Sequence, residues 1–76
     1  MPYTCKEAII AHMEASGPQS TACLRHECRV QATDYTQLIF QIAINELLAE
    51  GKIVAEVENE DDRPYYFYDF PESYYT

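Results

Sequence analysis

Gly51 divides the most constraining stretch of the chain. Before it, from Thr33, runs TDYTQLIFQIAINELLAE, and after it KIVAEV. In the first part apolar residues recur at helical intervals. In the second, Ile53, Ala55 and Val57 alternate with Lys52, Val54, Glu56 and Glu58, the period of a strand with one face buried. Glycine enters the left-handed conformation that ends helices without a Cβ penalty, so a long helix should stop here and feed a strand. Asp34 and Gln37 stand at capping-box spacing, which places the start of this helix at Asp34.

On a helical wheel, Phe40, Ala43, Ile44, Leu47 and Leu48 fall on one side. Tyr35, Leu38, Ile39, Ile42 and Ala49 fall on the other, and only Gln41 and Asn45 form a thin polar stripe. A helix apolar nearly all round is buried on more than one side. Two readings follow. Neighbouring helices cover both faces, or Leu38, Ile39 and Ile42 form a surplus apolar face that meets a second copy or another protein. Such a surplus predicts a dimer.

The remaining elements are read from their end signals. Thr4-x-x-Glu7 is a capping box that opens a first helix, with Tyr3 placed to staple against Ala8. Ile9, Ile10 and Met13 give this helix its apolar stripe, and Ser16-Gly17-Pro18 stops it. A second helix starts from Ser20 or Thr21 and runs to about Cys28, with Leu24 and Cys28 on one face. Val30, in the turn that follows, is expected to plug the core. After Gly51 a strand, a loop over Asn59–Pro64 and a return strand over Tyr65–Tyr68 make a β-hairpin. Only the residues around Pro18 and Gln19 remain for a third strand. The chain, at 76 residues, is long enough for one small α+β domain, residues 1–70, with a short acidic and aromatic tail over 71–76.

Charge narrows the choice of partner. The net charge is −8, and residues 50–76 hold eight of the 13 acids against two of the five basic residues. The acidity therefore sits in the hairpin and tail. Nucleic-acid affinity is mostly phosphate neutralisation by Lys and Arg, and this chain carries few of either. Arg25, His26 and Arg29 are its one basic cluster. Cys5, Cys23 and Cys28 are read as reduced thiols of a cytoplasmic protein, since neither a secretion signal nor a membrane span is visible. Cys23, His26 and Cys28 do not share a helical face and lack the paired spacing of structural zinc sites, so no metal is expected. His12 is read as an ordinary partly exposed histidine. With Gly17 and Gly51 as the only glycines, there is no phosphate-binding loop, and no nucleophile has recognisable context. Neither an enzyme nor a cofactor is expected.

The order helix, helix, long helix, hairpin, with Ile44, Leu47, Leu48, Gly51, Lys52 and Ile53 at the junction, resembles the winged helix-turn-helix superfamily of small regulators. The resemblance covers nearly the whole chain and implies three helices followed by a β-hairpin wing. It also implies DNA-binding transcriptional regulation, with the N-terminal part of the third helix in the major groove and a wing cation in the minor groove. In that case Arg25, Arg29, Gln37, Gln41 and Arg63 would hold DNA, in a dimer.

The residues themselves depart from that expectation. Bases are read by polar side chains, and the position of the reading face carries Leu38, Ile39 and Ile42. The wing reads Glu58-Asn59-Glu60-Asp61-Asp62 before its single Arg63. Seven of the ten aromatic residues lie between Tyr65 and Tyr75, interleaved with acids. Tyrosine is favoured at protein interfaces. Such a surface resembles those that occupy cationic nucleic-acid channels, as in some small phage inhibitors. The leading expectation is thus an acidic winged-helix protein that binds a basic protein partner, as adaptor, co-regulator or nucleic-acid mimic. Its contact residues would be Leu38, Ile39, Ile42, Glu58, Glu60, Asp61, Asp62, Tyr74 and Tyr75.

Overall fold

A computed structural model describes residues 3–75, apart from the side chain of Glu60. The elements run α1 (Cys5–Ser16), β1 (Gln19–Ser20), α2 (Thr21–Gln31), α3 (Gln37–Ala49), β2 (Val54–Glu60), β3 (Arg63–Asp69) and a 3-10 turn (Glu72–Tyr75). The strands form one antiparallel sheet in the order β1-β3-β2. This is a small α+β fold, compatible with a winged-helix-like layout.

Each helix is fixed at its start by a side chain. Thr4 and Glu7 form the reciprocal capping box on α1, and Ser20 accepts from the Cys23 N–H at the start of α2. The cap of α3 differs from the sequence reading. Thr36, not Asp34, is the N-cap, and its hydroxyl accepts the Ile39 N–H at 3.0 Å. Asp34 is engaged elsewhere: its Oδ1 accepts the Cys5 N–H of α1 at 2.9 Å. The residue thus satisfies an orphan donor of a helix 29 positions away. At the other end of α3, Gly51 has φ +72°. The Gly51 N–H reaches the Leu48 carbonyl and the Lys52 N–H reaches the Leu47 carbonyl, which is a Schellman motif.

One core holds the elements together. Cys5, Ala8, Ile9 and Met13 come from α1, Leu24 and Cys28 from α2, and Phe40, Ala43, Ile44 and Leu47 from α3. Ile53, Tyr68 and Phe70 close it from the sheet side. Lys6 ties α1 to the end of α3, with its ammonium 2.9 Å from Glu50 and 3.1 Å from Glu46. Hydrogen bonds to these two carboxylates raise the Lys6 pKa, and the bond to Lys6 lowers that of Glu50.

Val30 does not plug the core; it is 64% exposed. Helix α2 continues through Gln31, and two residues beyond buried Cys28 is about 200° round the helix. Ala55 and Val57 are also exposed, against the alternation that placed them inside. Their face of the hairpin is covered only at its base, where Tyr68 is buried. The loop is shorter than expected. Glu60 pairs with Arg63, so only Asp61 and Asp62 remain to turn the chain, at φ 53° and 62°. Positive φ at both positions is the mark of a type I′ turn, whose twist matches that of the flanking strands. The short β1 lies where the sequence left room for it, with Gln19 opposite Tyr68 and Ser20 opposite Phe67.

Candidate protein-interaction surfaces

The first surface is on α3. Leu38 is 69% exposed and Ile42 45% exposed, one turn apart on the same side. Ile39 departs from the grouping given above: it is half buried and packs against the core. At 100° per residue, it is turned from Leu38 towards the side that Phe40 and Ala43 bury. Below Ile42, a shallow recess of about 230 Å³ opens between α3 and the start of α1, lined by Thr4, Cys5, Asp34, Ile39 and Ile42 among others.

The second surface is the hairpin. Paired residues of an antiparallel ladder share a face. One face therefore carries Glu56 with Phe67 and Glu58 with Tyr65, and the other carries Ala55 with Tyr68, Val57 with Tyr66 and Asn59 with Pro64. On the first face the Tyr65 hydroxyl donates to the Glu58 carboxylate at 2.8 Å. On the second, Val57 is 53% exposed and Tyr66 is exposed with it, an apolar pair that the sequence reading missed. Alternation alone placed Val57 inside; it shows an apolar face but not whether anything packs against that face. Asp61 and Asp62 stand at the exposed tip. The Glu60 side chain lies outside the described residues.

The third surface is the tail. Tyr74 stacks on buried Phe70 with centroids 4.0 Å apart, and Tyr75 meets Tyr74 edge-on at 5.3 Å. The Tyr75 hydroxyl donates to Asp69 Oδ1 at 2.6 Å. That bond to a carboxylate, with some desolvation, raises the Tyr75 pKa. Both tyrosines keep more than half of their surface exposed. Beside them, Ile10, Glu14, Lys52, Phe70 and Pro71 line a groove of about 330 Å³.

The basic and amide residues considered for DNA are all exposed. Arg25 lies over the Phe40 ring, 5.9 Å from its centroid, and Gln41 donates to Asn45 at 3.2 Å. Arg29 lies one turn beyond Arg25 on α2, Gln37 opens α3, and Arg63 leaves the acidic turn. His12 faces Glu27 across 3.9 Å, a neighbour the sequence did not reveal.

Among the described residues no group of three His, Cys, Asp or Glu side chains is placed to hold a metal. No described helix is long and apolar enough to cross a membrane. Cys23 is exposed, whereas Cys5 and Cys28 are buried together, with the Cys28 thiol 3.6 Å from the Cys5 carbonyl. Burial, reinforced by Cys5, pushes the Cys28 thiol up to about 12.

The chain matches no protein-family model, no curated protein and no solved structure at a significant level.

Proposed function

We propose that this chain is a small winged-helix-like protein that acts by protein–protein contact, binding a basic surface as an adaptor, co-regulator or nucleic-acid mimic. One observation carries this: the outer part of the hairpin, exposed on both strands, presents Glu56, Glu58, Asp61 and Asp62 together with exposed Val57, Tyr65 and Tyr66. Carboxylates supply attraction and orientation to a cationic partner, and the apolar residues supply area to bury. A phosphate backbone would meet repulsion at the same place. Leu38 and Ile42 extend the apolar contact on α3, and Tyr74 and Tyr75 on the tail.

The competing use of this architecture is DNA binding through Arg25, Arg29, Gln37, Gln41 and Arg63. A paired titration decides between the two. The chain is titrated with mixed-sequence duplex DNA and with oligolysine, at low and at moderate salt. Oligolysine should bind, weaken as salt rises and weaken again in D61N/D62G, while the duplex should not bind at low salt. Duplex binding that falls steeply with salt and is lost in Arg63→Ala would replace the proposal with a DNA regulator.

A further inference from the structure

The sheet has an open edge. Among the described residues, in the order β1-β3-β2, β2 is paired on one side only, and every residue from Ala55 to Asn59 is exposed. Its register shows which backbone groups face out. A two-residue hairpin loop is closed by a hydrogen-bonded pair, here Glu60 with Arg63. Hydrogen-bonded and non-hydrogen-bonded pairs then alternate down the ladder. Glu58 with Tyr65 and Glu56 with Phe67 are bonded pairs. Ala55, Val57 and Asn59 turn their N–H and C=O groups away from β3, towards solvent. Pro64, which has no N–H, falls opposite Asn59 at a non-bonded position, as this register requires.

We propose that the β2 edge binds an extended peptide that alternates basic and apolar residues, added as a fourth strand. This specifies the partner chemistry of the proposed acidic surface and rests on that proposal. The backbone groups of Ala55, Val57 and Asn59 supply the ladder, as in other strand-addition complexes. Side chains opposite Glu56 and Glu58 meet a row of carboxylates, and there Lys or Arg is favoured. The side chain between them lies opposite Val57, beside exposed Tyr66, and there an aliphatic residue is favoured. A second copy of the chain is disfavoured on the same edge. Antiparallel self-pairing about Val57 sets Glu56 against Glu58 of the other copy, and like charges directly opposite are destabilising.

The test is an NMR titration of the intact chain with the synthetic peptide Ac-Thr-Lys-Val-Arg-Val-Thr-amide. The Ala55, Val57 and Asn59 amides should shift and gain protection from hydrogen exchange. N-methylation of the peptide valine opposite Val57 should weaken binding about tenfold, the loss of one or two ladder bonds. N-methylation of the adjacent arginine, whose N–H points away, should leave binding unchanged. Val57→Pro removes an outward donor from the edge and should weaken binding similarly while the chain stays folded. E56K/E58K should reverse the preference towards a peptide with Glu in place of Lys and Arg.

Binding that is indifferent to the position of N-methylation would overturn the strand-addition proposal and leave the acidic-surface proposal standing. So would failure of the peptide to bind a chain that still binds oligolysine. Failure of both ligands would overturn both. Concentration-dependent broadening of the Val57 amide without peptide, lost in Val57→Pro, would assign the edge to a second copy and overturn the peptide proposal.

Discussion

Asp34 and Cys28 show how single side chains set the stability of this small fold. Asp34 Oδ1 joins the link before α3 to the first N–H of α1. Replacing an N-terminal cap of this kind by alanine costs about 1 kcal/mol. Asp34→Ala should therefore lower the urea midpoint, and Asp34→Asn, which keeps the acceptor, should restore most of the loss. Cys28 reports through pH. Its folded pKa stands at about 12 against an ordinary 9.0, so between those values the unfolded chain gives up a proton that the folded chain keeps. The stability contributed by the neutral buried thiol is complete below pH 9 and is lost as pH rises towards 12. At pH 8, Ellman's reagent should titrate Cys23 rapidly and reach Cys5 and Cys28 only in denaturant, because the other two thiols are buried and protonated. Equal reaction of all three in the native chain would contradict this burial.

Among the elements, the hairpin and α3 respond to substitution in opposite ways. The turn residues Asp61 and Asp62 sit at positive φ, where Asn-Gly is the preferred pair. D61N/D62G should raise the melting temperature, by a gain of roughly 0.5–1 kcal/mol, while removing two charges from the tip. Lysine at either position would strain the left-handed turn, so charge reversal there would confound binding with folding. On α3, Ile44→Ala should cost about 2–5 kcal/mol, because it opens a cavity among Phe40, Leu47 and Ile9. Leu38→Ala should stay within about 0.5 kcal/mol, since the side chain is exposed. Gly51→Ala should cost about 1–2 kcal/mol through the left-handed backbone alone, because nothing lies within 4 Å of the added Cβ. Urea unfolding of the three variants checks this order.

At the scale of the molecule, the single core packs the three helices on the base of the sheet and leaves the outer hairpin uncovered. Much of the layout was legible in the sequence: the capping box of Thr4 and Glu7, the stop at Gly51, the hairpin, and Phe40, Ala43, Ile44 and Leu47 as a buried row. These are local signals, carried by spacing within one element and by the backbone freedom of glycine. Composition likewise sufficed to concentrate the negative charge in residues 50–76. Which apolar face stays open depended on contacts between elements. Leu38 and Ile39 are neighbours on one apolar arc, yet the core takes Ile39 and leaves Leu38. Val57 alternates like a core residue, yet it is exposed with every residue from Ala55 to Asn59, and only Tyr68 is buried on its face of the ladder. Asp34 reads as the cap of the helix that follows it and caps α1, 29 residues earlier, because only folding brings that helix start to its side. Periodicity specifies which faces are apolar; burial is a property of what packs against them, and that was decided by the tertiary structure.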